Sequence, residues 1–169
     1  EPRRGYGRAC RAGLRVLAPT TEIVVFLDGD HSDYPEELLN LVGPIERGEA
    51  DLVIGSRVLG QAEPGSLTPQ QRFGNWLVCA LIALRFGHRF TDLGPFRAIR
   101  HDALERLGVR DPTFGWNVEM QMKAIKAGLR IVEVPVRYRR RIGRSKISGT
   151  LTGTMRAGCA MLWTILKYW

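Results

Sequence analysis

The chain has 169 residues, 44% of them hydrophobic, which suits one domain with a buried core and excludes general disorder. Twenty-five Lys and Arg against 17 Asp and Glu leave a formal charge of +8 and direct attention to an anionic partner: phosphate, nucleic acid or anionic lipid. The three cysteines, Cys10, Cys79 and Cys159, lie far apart with no CxxC or Cys/His spacing, so neither a disulfide framework nor a zinc site is supported, and reduced thiols in a cytosol-facing protein fit. The opening EPRRGYGRACRAG lacks the apolar region of a signal peptide, and no apolar run reaches the ~20 residues of a spanning helix.

Over 7–17, Ala9, Ala12, Val16 and Leu17 recur at helical spacing among basic residues, and Pro19 ends the pattern. Residues 23–27 (IVVFL) are apolar on both faces, as a strand buried in a parallel sheet is, and run into Asp28-Gly29-Asp30. Pro35 opens a helix with Glu36 and Glu37 in its first turn and Leu38, Leu39, Leu41, Val42 and Ile45 behind them. DLVIGS, at 51–56, is the next strand. Two Pro and two Gly among polar residues at 59–70 predict a mobile loop covering a site. A helix over 71–86, a short strand at 95–99 and a short helix at 101–107 come next. An amphipathic helix over 117–127 is closed by Gly128, and an alternating strand at 131–138 carries Pro135 as a kink or edge marker. Strands alternating with helices predict an α/β fold with a largely parallel sheet. Two segments, 76–86 (WLVCALIALRF) and 153–169 (GTMRAGCAMLWTILKYW), are apolar enough to lie on a membrane surface, although the first also suits a buried core helix.

Ligands in open α/β sheets bind beyond the carboxyl ends of strands, where Asp28 and Asp30 stand. Two carboxylates one residue apart, with Gly29 letting the backbone bend, suit a hard divalent cation that clamps a diphosphate; an Asp-rich turn capping the next helix, with Asp33 as the cap, gives the same triplet. YRRRIGRSKISG, at 138–149, crowds Arg139, Arg140, Arg141, Arg144 and Lys146 around Gly143, Ser145 and Ser148. Arginine offers bidentate contacts to phosphate oxygens, and hydroxyls and glycine amides add close donors, so the loop reads as an anion site. A solvated basic loop or a nucleic-acid patch has a similar composition, but no aromatic interleaving supports the latter. TDLGPFR, at 91–97, is a Gly-Pro turn bearing Asp92, and GWNVEMQ, at 115–121, places Glu119 in the opening turn of a helix.

In this order the motifs resemble the family 2 glycosyltransferases of the GT-A fold, in particular their polyprenyl-phosphate hexose synthase branch. GYGRACRAG is similar to the family's G-x-G-x-A-x-x-x-G helix, VVFLDGDHSDYPEEL to its D-x-D followed by a Pro-Glu helix start, and ADLVIGSR to the strand beyond. TDLGPFRAIR resembles the T-D-x-x-x-G-F-R element with Gly and Pro in shifted order. The stretch GWNVEMQMKAIKAGLRIVEVPVRYRRRIGRSK resembles the helix, EvPv strand and R-x-x-G-x-S-K loop.

The resemblance implies a metal-dependent, inverting transfer of a hexose from a nucleotide sugar, UDP- or GDP-linked, to a polyprenyl phosphate at the cytoplasmic face of the membrane. By it, Asp28 and Asp30 hold Mg²⁺ or Mn²⁺ against the diphosphate. Arg97, Arg141, Arg144, Ser145 and Lys146 join them in binding donor or phosphate, and Asp92 and Glu119 are the acceptor-side catalytic carboxylates. A lipid phosphate is already an anionic nucleophile and needs little general base, whereas a hydroxyl acceptor, as in cell-envelope polysaccharide synthesis, requires one of them to take the proton. Residues 1–150 are then the C-terminal two-thirds of a GT-A domain and 151–169 a membrane-associated helix. The family's opening strands, about 60 residues at ~30 per βα unit, are expected ahead of this segment. The rival reading is a non-catalytic basic module that binds anions.

Overall fold

The structure is a computed structural model that describes residues 5–143 and 151–168, with the side chains of 151–157 outside the description. One sheet of four strands organises it: β1 (Ile23–Phe26), β2 (Leu52–Ser56), β3 (Arg97–Arg100) and β4 (Ile131–Pro135), in the order β1-β3-β2-β4. β2 and β4 pair in parallel, with Leu52 opposite Ile131 and Ile54 opposite Glu133. β3 pairs antiparallel with both β1 and β2, Arg97 facing Phe26 on one side and Ile54 on the other. Three of the four strands thus share a direction, as expected of an α/β chain. The short β3 is the exception, and because it is inserted between β1 and β2 it makes two of the three ladders antiparallel.

Alternation along the strands divides the core into two layers. Val24, Phe26, Leu52, Ile54 and Ile99 face one side with Val78, Ile82, Trp116, Met120 and Ile165, whereas Val53, Ala98, Val132 and Val134 face the other with Leu41 and Ile45. The second layer belongs to α2 (Leu38–Glu46), entered through a 3₁₀ turn at Pro35–Glu37. On the first side lie α1 (Tyr6–Leu14), α3 (Pro69–Phe86), α4 (His101–Leu107), α5 (Trp116–Lys126) and α6 (Leu151–Tyr168). α6 packs on α5 and α3.

Two helix starts show how the chain satisfies its orphan N–H groups. α3 begins two residues before the sequence expectation because Thr68 and Gln71 form a reciprocal capping box around Pro69. α1 has no side-chain cap; the amides of Gly7 and Arg8 donate instead to the carbonyls of Thr113 and Pro112, both at 3.2 Å. That approach requires glycine, since a Cβ on Gly7 would overlap the Asp111 carbonyl oxygen. Gly7→Ala is therefore expected to cost about 2 kcal/mol. Thermal melting should fall by roughly 4–8 °C, and an unchanged midpoint would show that α1 does not pack this closely.

The expected mobile loop at 59–70 is partly tied down. Gln61 N donates to Val136 O at 3.3 Å, Tyr138 N to Gln61 O at 3.0 Å and Glu63 N to Tyr138 O at 2.8 Å, so 61–63 run alongside the extension of β4. The contact is close because Gly60 has no Cβ to meet the Val136 backbone.

Candidate active site

The sheet topology gathers the candidate residues at one edge. β1, β2 and β4 end there, releasing the turns that begin at Asp28, Arg57 and Val136, and the antiparallel β3 starts there, so 91–96 arrive at the same edge. Asp28, Asp30, Asp92, Arg97 and Arg141 therefore meet from three separate stretches of sequence.

In the turn after β1, Asp30 Oδ1 accepts from the Ser32 amide at 3.1 Å and from the Ser32 hydroxyl, and its Oδ2 lies 3.2 Å from Arg141 Nη1. Asp33 Oδ2 accepts from the Asp28 amide at 3.3 Å, while Asp33 Oδ1 is buried without a hydrogen-bond partner among the described residues. Burial, and next the charge of Asp30, hold the Asp28 carboxyl above its ordinary value, with Arg141, Arg57 and Arg97 acting in the opposite sense. Burial likewise pushes Asp33 up to about 7. The turn is thus crowded with carboxylate and favours added positive charge. Among the described residues no three His, Cys, Asp or Glu side chains come together to hold a metal ion. The donor set Asp28 and Asp30 nevertheless fits Mg²⁺ or Mn²⁺, because such ions are commonly held by one or two carboxylates with substrate phosphates completing the shell.

The segment after β4 is zipped onto this turn. Arg139 N donates to Ser32 O at 2.9 Å and Ile142 N to Asp30 O at 3.0 Å, and Arg137 pairs with Glu37 at 2.7 Å. Arg137 and Arg139 stand over the Tyr34 ring at 4.2 and 4.4 Å from its centre. Arg141 is thereby brought to Asp30. Arg144, Ser145 and Lys146 lie outside the described residues.

Three expected roles look different once the contacts are known. Asp92 is buried and saturated: Oδ2 accepts from Arg57 N and Nε at 2.8 and 2.7 Å, and Oδ1 from Arg57 Nη2 and Leu93 N at 2.7 and 2.8 Å. It is bonded to Arg57, whose guanidinium also covers the Tyr138 ring at 5.0 Å. Arg97 is fully buried and donates to the carbonyls of Leu93, Gly94 and Asn117, which makes it a staple between the 91–96 turn and α5 rather than an exposed phosphate ligand. Burial pushes its guanidinium down to about 10.

Glu119 makes its contacts with other elements than the carboxylate turn. Its Oε2 accepts from the amides of Arg110 and Asp111 at 3.0 and 2.6 Å, and its Oε1 meets Tyr168 Oη at 2.6 Å and Lys123 Nζ at 2.8 Å. Burial acts to raise its carboxyl, but these donors, Lys123 first, hold it below the ordinary value. Glu119 is a socket for the end of α6.

Sequence reasoning missed Arg57. The GSR triplet gave its only signal, a basic residue directly after a buried strand.

The architecture is that of a GT-A glycosyltransferase. Glucosyl-3-phosphoglycerate synthase from Mycobacterium tuberculosis, crystallised with Mn²⁺, uridine-diphosphate-glucose and phosphoglyceric acid, matches with a TM-score of 0.72 at 22% identity, over 98% of this chain and 55% of its own. The likeness is one of fold. The glycosyl transferase family 2 model matches residues 1–108. An uncharacterized glycosyltransferase of M. tuberculosis is 40% identical across the whole of this chain and 72% of its own length. The undecaprenyl-phosphate mannosyltransferase of Micrococcus luteus is 31% identical across 96% of this chain and 71% of its own. The chain belongs to glycosyl transferase family 2. It spans about seven-tenths of these two relatives and a little over half of the solved synthase.

Proposed function

We propose that the full-length protein transfers a hexose from a nucleotide sugar to a polyprenyl phosphate, with inversion, at the cytoplasmic face of a membrane. The observation that carries this reading is the meeting of Asp28 and Asp30 with the guanidinium groups of Arg141 and Arg57 at one sheet edge. Asp28 and Asp30 would hold Mg²⁺ or Mn²⁺, which when bound supplies charge neutralisation for the leaving diphosphate. Arg141 can exchange Asp30 for a phosphate oxygen, since a guanidinium serves either partner with the same forked donors. A phosphate acceptor attacks without surrendering a proton, and the engagement of Asp92 by Arg57 and of Glu119 by Lys123 and Tyr168 agrees with a site that needs no carboxylate base. The relatives named as undecaprenyl-phosphate mannosyltransferase and polyprenol monophosphomannose synthase, both 31% identical, support the lipid acceptor.

Membrane contact is supported by two neighbouring helices. α3 leaves Phe73, Trp76 (62% exposed) and Leu84 in solvent, and α6 leaves Leu162, Trp163 (69% exposed) and Leu166. Between Phe73 and Trp76, Asn75 bonds Thr91 O and Leu93 N at 3.0 and 2.9 Å, so this apolar turn borders the site. Among the described residues no helix is long and apolar enough to cross a membrane, and interfacial burial of the aromatic stripes is the proposed attachment.

Two measurements test the proposal. Radiolabelled hexose from UDP- or GDP-hexose should reach a short-chain polyprenyl phosphate, and chelation should stop the reaction. Transfer to a water-soluble hydroxyl acceptor, with polyprenyl phosphate untouched, would overturn the assignment. In flotation with anionic vesicles, Trp76→Ser combined with Trp163→Ser should weaken binding by about tenfold; binding equal to wild type would remove these stripes from the membrane contact.

A further inference from the structure

Next to Asp92 lies a third polar group, the Glu of the EvPv strand, to which the motif reading gave no role. Glu133 sits on β4 opposite Ile54 of β2 and turns its carboxylate to the 91–92 turn. Its Oε1 accepts from Thr91 N at 3.1 Å, Thr91 Oγ1 at 2.9 Å and Asp92 N at 3.1 Å, and its Oε2 accepts from Thr91 N at 2.9 Å. Because Thr91 Oγ1 spends its proton on Glu133, Ser56 Oγ must donate across the 2.7 Å contact to Thr91, and it accepts in turn from Leu59 N at 3.1 Å. The run Leu59, Ser56, Thr91, Glu133 is directional and ends on an acceptor-only group. It joins β2, β4 and the turn before β3 immediately behind Asp92.

We propose that Glu133 is the positioning residue that fixes the Thr91–Asp92 backbone so that Asp92 can hold the Arg57 guanidinium toward the carboxylate turn. The inference rests on the transferase reading for its kinetic consequence but not for its structural one. The Asp92 amide is held by Glu133 and the Asp92 carboxylate by Arg57, so the direction of the guanidinium is inherited from a residue that does not touch it. A glutamine keeps the three bonds made to Oε1 and loses the one made to Oε2; an alanine loses all four.

The first arm of the test reads hydrogen exchange at Arg57 Nε–H by NMR in the full-length protein, with backbone amides of β2 as an internal reference. Exchange should quicken at least tenfold in Glu133→Ala while the β2 amides keep their protection, and Glu133→Gln should stay near wild type. Unchanged Arg57 exchange, or a loss matched by the β2 amides, would overturn the proposal. Should Glu133→Ala fail to fold, Glu133→Leu, which keeps the bulk of the side chain and loses all four bonds, is read in its place against the same two outcomes. The second arm is a double-mutant cycle on transfer. Glu133→Ala should lower kcat/KM about tenfold, and adding it to Arg57→Ala should lower it no further, because the two act as one unit. Additive losses would overturn the positioning role. The first arm stands even where no transfer is detected, so failure of the transferase reading and failure of this inference are told apart.

Discussion

Asp30→Ala in the full-length protein is expected to lower kcat by about a thousandfold, roughly 4 kcal/mol of barrier. The side chain is partly exposed at a strand end, and its loss removes the Ser32 bonds and the Arg141 pair without opening a cavity. Thermal melting should therefore stay within a few degrees of wild type. Arg141 would be freed, so binding of a nucleoside diphosphate in the absence of metal should persist while its enhancement by Mn²⁺ disappears. Titration calorimetry with UDP and GDP, with and without Mn²⁺, separates the two. Retention of more than about a tenth of wild-type turnover, a change of only ~1.4 kcal/mol, would remove Asp30 from the set of metal ligands.

Glu119→Ala should have the opposite profile. The substitution leaves two backbone amides, the Tyr168 hydroxyl and the Lys123 ammonium without their common acceptor at a buried position. Truncating one side of such a buried charged pair costs about 3 kcal/mol once partial solvation of Lys123 is allowed for. A fall of roughly 6–12 °C in melting temperature should follow. Tyr168→Phe removes a single bond and should cost about 1 kcal/mol. Activity per folded molecule should remain within about twofold of wild type. A hundredfold loss of kcat at an unchanged melting temperature would return Glu119 to the role of an acceptor-side base.

The difference between these two carboxylates explains what was readable in advance. Asp28 and Asp30 follow an apolar run that local pattern alone marks as a strand, so their position at a strand end was legible; that β1 is a half-buried edge strand paired only with the antiparallel β3, and not one buried within a parallel sheet, was not. A glutamate in the first turn of an amphipathic helix carries no such information. Glu119 would look the same facing a substrate or facing α6, and the decision lies with Tyr168, 49 residues away. Arg97 misled for a related reason: a short strand ending RAIR gives no sign that its first arginine points inward to three carbonyls. The direction of β3 was equally hidden, because four residues of alternating pattern are the same read either way. Arg57 became visible only through Asp92, 35 positions on, and the bond that holds the Asp92 amide only through Glu133, a further 41.

The zipping of 137–142 onto the 30–37 turn has a consequence for how the protein is born. Its contacts close over long separations, from 100 positions between Arg137 and Glu37 to 108 between Arg139 and His31 and beyond that at Ile142 and Asp30. A ribosome adding ~5–20 residues per second exposes the carboxylate turn about 5–20 s before the arginines that complete it. Throughout that interval Asp30 and Glu37 lack the pairing that Arg141 and Arg137 bring to them in the folded chain. A nascent chain arrested before Arg137 would lack the segment that brings Arg141 to Asp30.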